Sequence, residues 1–308
     1  MSIYHEPVLL RETIELLDPK PNENFIDGTL GGGGHASEIL KKNGSGKLLG
    51  IDIDQDALRE VGSKLANYQD RIILVQDNFS NLENIVRENN FRDVDGILLD
   101  LGVSFHQLAT SERGFSYRLE GELDMRMGKD IGLNAQDLVN DLSGQEIKEI
   151  LIKYGEVQGA SRIVQKIINY RKNKKIVTTK DLKEAIVGEN EINKWNIKIL
   201  SQVFQALRIA VNNELESLKG VLSQALDLLK PSGRMVVISY HSLEDRIVKR
   251  FFQKESRDCI CPDEMIQCNC SHKKSLKIIT KKPIIASNNE ITKNKKSRSA
   301  KLRAIVKI

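Results

Sequence analysis

Phe25-Ile26-Asp27-Gly28-Thr29-Leu30-Gly31-Gly32-Gly33-Gly34-His35-Ala36 reads as the end of a buried strand that turns through glycines into a helix. Glycines let backbone amides approach a ligand without Cβ obstruction, and the first turn of a helix offers unpaired amides. A nucleotide-like ligand therefore suits this turn. No Gly-Lys-Ser or Gly-Lys-Thr closes the loop, so the phosphate-gripping lysine of a nucleotide triphosphatase is missing. Gly31, Gly33 and Ala36 satisfy the loose dinucleotide pattern, with an acid following at Asp52, so a nicotinamide-binding Rossmann enzyme also fits. Asp27, placed at the strand end before the glycines, would repel a pyrophosphate but suits the ammonium of an amino-acid tail. That favours S-adenosylmethionine.

Outward from this turn, apolar runs recur at Phe25-Ile26, Leu48-Leu49-Gly50-Ile51, Ile72-Ile73-Leu74-Val75 and Gly96-Ile97-Leu98-Leu99, each followed closely by an acid. Continuous runs like these suit a parallel sheet covered on both faces, with helical crossovers over Gln55 to Asn67 and Leu82 to Asn89. The pattern predicts a doubly wound α/β core whose Asp27, Asp52, Asp77 and Asp100 converge beyond the carboxyl ends of the strands. An N-terminal helix is expected from Pro7 to Leu17. After Ser104 helices dominate to about Gln205, with Ser143-x-x-Glu146 as a capping box and helices over Ile163 to Arg171 and Asp181 to Val187. A helix through Leu215 and Leu229 stops at Lys230-Pro231-Ser232-Gly233, and Met235 to Ile238 resumes the sheet. The expected organisation is a discontinuous sheet domain, 1–106 and 206–308, with an all-helical domain, 107–205, inserted. In the tail, Lys277 to Thr280 and Leu302 to Val306 suit an antiparallel pair at the sheet edge. Ala286 to Ser299 is polar and basic and reads as a mobile loop.

The 308 residues, 40% hydrophobic and 29% charged, describe a globular chain, and no stretch approaches the length of a membrane-spanning helix. No secretory leader pattern opens the chain, so a cytoplasmic location is expected. Net charge is +5, with the cations in two blocks. One runs from Lys166 to Lys183, including Arg171, Lys172, Lys174, Lys175 and Lys180; the other runs from Lys273 to Arg303. Such blocks suit phosphate contacts on RNA, or are solvated surface lysine. All four cysteines fall in Cys259-Ile260-Cys261 and Cys268-Asn269-Cys270, with His272 behind them. The spacing suits either a zinc ion held by four thiolates or free thiols in a reducing compartment.

Asp52 holds the place of an acid that accepts both ribose hydroxyls, or else caps a helix, with Asp54 its near competitor. Phe79, in Val75-Gln76-Asp77-Asn78-Phe79, offers a face for an adenine ring or belongs to the core. Asp100 lies where a transferred group meets its acceptor; as an acceptor for amine N–H groups it favours the tetrahedral nitrogen and later takes its proton, or it caps the strand end. The segment Ser239-Tyr240-His241-Ser242 faces the same crevice, with His241 its catalytic or positioning candidate, above a helix cap read at Ser242-x-x-Asp245.

His5-Glu6-Pro7-Val8-Leu9-Leu10, Asp27-Gly28-Thr29, Gly33-Gly34-His35, Asp100-Leu101-Gly102-Val103-Ser104, Arg113-Gly114-Phe115-Ser116, Leu123-Asp124-Met125-Arg126-Met127, Phe204-Gln205-Ala206-Leu207-Arg208-Ile209 and His241-Ser242-Leu243-Glu244-Asp245-Arg246 run nearly end to end. Together they resemble the RsmH (MraW) family. The resemblance implies a class I, Rossmann-like methyltransferase sheet with an inserted helical domain, using S-adenosylmethionine to methylate the N4 amine of a cytidine in the decoding region of 16S ribosomal RNA. It implies donor contacts from Gly33, Gly34, His35, Asp52, Phe79, Asp100 and Gln107, with the small ribosomal subunit as partner and no membrane. One departure is Phe105-His106, where the family has Ser-Pro before Gln107; His106 reads as a solvated or capping residue. Reaching an amine on a stacked base requires an unpaired or extruded nucleotide. A catalytically silent RNA-binding assembly factor on the same fold is the rival within this class.

Overall fold

The apolar runs pair side by side in a computed structural model that describes residues 7–128, 132–188, 193–262, 265 and 267–308. His5 and Glu6 of the first motif lie outside the described residues. The chain first lays down α1 (Leu10–Leu17), β1 (Asn24–Asp27), α2 (Gly34–Lys42), β2 (Leu48–Asp52), α3 (Gln55–Lys64), β3 (Ile72–Gln76), α4 (Leu82–Glu88) and β4 (Val94–Asp100). Six helices follow: α5 (Phe105–Ala109), α6 (Ala135–Asp141), α7 (Gly144–Gly155), α8 (Ala160–Asn173), α9 (Thr179–Val187) and α10 (Lys194–Asn212). The sheet is completed through α11 (Glu214–Leu228), β5 (Leu229–Ser239), α12 (Ser242–Glu255), β6 (Leu276–Ile278), α13 (Asn288–Lys293) and β7 (Lys301–Lys307).

Strand order is β3-β2-β1-β4-β5-β7-β6. β1 to β5 are mutually parallel, while β7 runs antiparallel to β5 and to β6, the edge pair expected from the tail. This is an α/β, Rossmann-like sheet, and the order reverses between β1 and β4. A crevice at such a switch point is where ligands bind in open α/β sheets.

Alternate residues feed two separate cores, as a sheet covered on both faces requires. Phe25, Leu48, Leu98, Val236 and Leu302 pack with Ile14, Leu17, Ala36, Ile39 and Val61 of α1 to α3. Ile26, Leu49, Ile97, Val237 and Ile305 pack with Leu82, Ile85, Leu222, Val248 and Phe252 of α4, α11 and α12. The expected stop at Lys230 to Gly233 is an irregularity inside β5: pairing steps from Val94↔Leu229 to Gly96↔Arg234, and Ser232 takes a φ of 69°.

The chain divides into one unit of residues 1–102 and 215–308 and a second of 103–214. These bounds differ from the expected 107–205, because breaks at 107 and 206 would fall inside α5 and α10. The second unit is helical, with its own core of Ile147, Leu151, Ile167, Leu200, Val203 and Leu207 among others. Its α7 starts at the Ser143–Glu146 capping box as expected, and Thr178 with Asp181 forms another for α9.

Two further sequence expectations are corrected. The first helix begins at Leu10, not near Pro7, since Pro7 packs against the turn: a Cβ on Gly34 would stand 2.6 Å from its ring. Ala286 to Ser299 is ordered as α13 and a 3-10 turn, Lys295–Ser299, because its polar groups are used internally. Glu290 Oε1 accepts from Leu9 N at 2.8 Å and Ser297, fully buried, donates to Asn294 O at 2.7 Å.

Gly96 of β4 has no side chain because the Phe25 ring of β1 lies across it; an added Cβ would sit 2.5 Å and 2.6 Å from two ring carbons. Gly96→Ala is expected to lower unfolding stability by about 1–3 kcal/mol through overpacking. Urea denaturation monitored by circular dichroism checks this, and an unchanged midpoint would contradict the close approach.

Candidate functional site

Asp27 ends β1, and its register partners are Gly50 on β2 and Leu98 on β4. Asp52 and Asp100 stand two residues beyond those partners, and side chains alternate with period two, so all three carboxylates share the face covered by α1 to α3. Asp77 stands at the same edge, yet its Oδ1 accepts from Asn78 N at 2.6 Å and Asn81 Nδ2 at 2.8 Å, so that carboxylate serves its own turn. Three acids converge rather than four.

Burial dominates the electrostatics of this trio. It pushes Asp27 up to about 7, against the Thr29 amide that donates to it, and the charges of Asp100 and Asp52 add to the rise. Asp100 is likewise pushed up to about 7 by burial, opposed by a hydrogen bond from Tyr240. Asp52 rises to about 6 although Gly31 N and Asp54 N, each at 2.8 Å, donate to it. The helix cap at this corner is Asp54, whose Oδ1 accepts from Asp56 N.

The glycine turn is tied to the trio by backbone groups. Gly31 has a φ of 48° and donates to Asp52, while Thr29 Oγ1 accepts from Asp100 N at 2.5 Å. Gly33, at φ 66°, caps α2 and would press a Cβ to 2.9 Å from Val61. His35, the second residue of α2, is buried and held down to about 4, hence neutral. Its Nε2 lies 3.1 Å from Val8 O, which assigns the proton to that nitrogen and leaves Nδ1 as an acceptor 3.8 Å from Asp100 Oδ2. Two acceptors so placed cannot bond each other; they suit one donor lying between them.

Two residues missed in the sequence complete the surroundings of Asp100. Tyr240 OH donates to Asp100 Oδ1 at 2.8 Å, and burial beside that carboxylate holds the phenol far above its ordinary value, so it stays a donor. Ile238 pairs with Asp100, and Tyr240 lies two residues on, a parity that could have revealed it. Lys296, half-buried on the 3-10 turn of the tail, is held down to about 8 by burial while the Asp100 charge pulls it up. The legible signal there was Ser287-x-x-Glu290, whose Ser287 Oγ accepts from Glu290 N at 3.2 Å and starts α13.

The other candidates are placed as follows. His241, not Ser242, caps α12: its Nδ1 accepts from Glu244 N at 3.4 Å, and Glu244 Oε2 accepts from Tyr240 N and His241 N. His241 Nε2 is buried 3.2 Å from Glu244 Oε1, out of line for a hydrogen bond. The ring is thus engaged in the helix start, which speaks for positioning rather than proton transfer. Phe79 is half-buried against the α4 and α11 core. In the second unit, Gln107 is buried as the third residue of α5, and its Oε1 accepts from Ser104 N at 3.0 Å in a capping box; His106 beside it is exposed. Of the tail cations, Arg303 is buried against Asp245 at 2.7 Å and so leaves the surface block, while Lys301, still partly exposed, pairs with the same carboxylate at 3.3 Å. Among the described residues, no helix is long and apolar enough to cross a membrane.

The model of the MraW methylase family matches residues 2–308. The chain belongs to the MraW methylase family. A relative from Heliobacterium mobile, called ribosomal RNA small subunit methyltransferase H, is 46% identical over 312 residues and all of both chains. One of the same name from Syntrophotalea carbinolica is 46% identical, covering 98% of this chain and 97% of its own. A solved rRNA methylase from Streptococcus thermophilus matches all of this chain and 99% of its own at a TM-score of 0.45 and 10% identity, too slight a likeness to argue from. As a member of the MraW methylase family the chain is a methyltransferase, and its cofactor is S-adenosylmethionine. The residues present fit that cofactor: burial raises Asp27 and Asp100 beyond what their partners offset, and the Asp52 oxygens keep lone-pair capacity beyond the backbone amides of Gly31, Ile53 and Asp54.

A carboxyl whose pKa is raised on folding stabilises the fold below its unfolded value near 3.8 and loses that contribution as pH rises through the folded value. His35, depressed by burial, acts oppositely below about 6.5, but three carboxyls outnumber it. Without ligand, the melting temperature is therefore expected to fall as pH rises from about 5 to about 7.5. The double variant Asp27→Asn/Asp100→Asn should flatten that fall; a wild-type curve level or rising across the window would contradict the trio's electrostatics.

Proposed function

We propose that this methyltransferase modifies the N4 amine of a cytidine in the decoding region of 16S ribosomal RNA. The observation that carries the reading is Asp100: its carboxylate is fixed by Tyr240, lies near Lys296 and His35 Nδ1, and keeps 23% of its surface open. The names of the relatives and the motif resemblance along the whole chain support ribosomal RNA as the substrate.

When bound, S-adenosylmethionine would supply an electrophilic methyl on a sulfonium whose leaving group is a neutral thioether. Asp27 would draw its amino-acid ammonium, the glycine turn would admit the nucleoside, and Asp52 would accept the ribose hydroxyls. The acceptor amine is a poor nucleophile because its lone pair is delocalised into the ring. Asp100 would accept one N–H of that amine, which favours the tetrahedral nitrogen, and would take up the proton that the nitrogen must lose on methylation, directly or through water. Tyr240 holds Asp100 in place and His241 holds the start of α12. Positioning of this kind, with a weak base, supplies much of the rate of a group transfer. On the second unit, exposed Lys172, Lys175 and Lys180 make phosphate contacts that are independent of sequence.

Small subunits from cells lacking this chain, incubated with the protein and labelled donor, should gain one methyl on a cytidine N4, located by mass spectrometry of the digested RNA. Asp100→Asn is expected to slow transfer by about 10²-fold or more while donor affinity changes by less than about tenfold. Label on a different base, or none, would overturn the assignment.

A further inference from the structure

The segment 256–275 joins α12 to β6, and none of its described residues lies in a helix or strand. Its neck is tied: Ser275 N donates to Glu255 O at 3.0 Å, and His272 Nε2 lies 3.2 Å from Lys254 O. Beyond the neck there is little apolar surface to fold upon, since Ile260 and Met265 are 39% and 42% exposed. A connection this long without a core of its own calls for another kind of staple.

All four cysteines of the chain meet there. The Sγ atoms of Cys259, Cys261, Cys268 and Cys270 lie within 4.8 Å of one another. Cys268 is 3.4 Å from Cys259, 3.6 Å from Cys270 and 4.0 Å from Cys261, and Cys259 is 3.8 Å from Cys270. A zinc ion with four thiolates at about 2.3 Å in a tetrahedron sets its sulfurs about 3.8 Å apart. A disulfide would need about 2.0 Å, and all four thiols are free.

We propose that these four cysteines bind one zinc ion as a closed structural site. Four sulfur ligands leave no position for water, which separates such a site from a catalytic one, and soft thiolates discriminate against magnesium and calcium. Backbone amides already point at the sulfurs: Ile260 N donates to Cys270 Sγ and Cys261 N to Cys259 Sγ, both at 3.4 Å. Donors of this kind orient ligands and spread the charge of a metal–thiolate group. His272 is not a ligand, because its ring faces Lys254 O and the Glu255 carboxylate. Binding releases the thiol protons to solvent and needs no oxidant. The ion thus takes the place of the missing core and pins the loop.

The full chain, purified without chelator or metal-affinity resin, should carry about one zinc by elemental mass spectrometry. Cobalt exchanged into the wild-type protein should give the thiolate charge-transfer and d–d absorption of a tetrahedral four-sulfur site, a readout independent of whether any variant folds. Cys259→Ser and Cys268→Ser should each lose the zinc and that spectrum. Protein without stoichiometric metal whose four thiols react freely, protein with these cysteines in disulfides, or zinc retained in both variants would overturn the site.

Discussion

Three acids placed on one sheet face at the reversal of strand order set the terms for the rest of the molecule. A carboxylate taken from water without a matching cation is costly, and the outcome is a raised pKa and a fold strained by its own charges as they ionise. Asp27, Asp52 and Asp100 all show that response, with burial as its leading cause. Sites that contradict the ordinary rules of a core are where function is built, and three such acids together suit a ligand bearing positive charge.

Other features follow from keeping that cluster in place. Thr29 is shared between Asp27 and Asp100, accepting from one strand end while its own amide serves the other. Tyr240 arrives from β5 and Lys296 from the tail, which returns through α13 and is fastened by Glu290 to Leu9. The tail is therefore a wall of the site and not a trailing peptide. His241 and Glu244 fix the start of α12 next to the same strand end.

Much of this was legible because sheet geometry is written in period two. The apolar runs with an acid behind each predicted β1 to β4, and parity alone places Asp27, Asp52 and Asp100 together. The capping box at Ser143 was legible for the same local reason, whereas the cap expected at Ser242 lies one residue earlier, at His241. Ala286 to Ser299 lacks apolar periodicity; its order comes from local bonds of Asn294 and Ser297 within the 3-10 turn and from Glu290, which finds Leu9 far away in sequence, a partner no local pattern announces. Lys296 next to Asp100 depends on the antiparallel return of β7. The glycines at 33 and 34 were read for ligand access, yet Val61 and Pro7 already require them to be small.

The most direct test of the central claim is proton release when S-adenosylmethionine binds, measured by titration calorimetry near pH 6.5 in buffers of differing ionisation enthalpy. A cation entering beside carboxyls held near 7 must lower their pKa values, so net release of protons is predicted, reduced in Asp27→Asn and Asp100→Asn. Binding with no dependence on buffer, or with net proton uptake, would contradict the account.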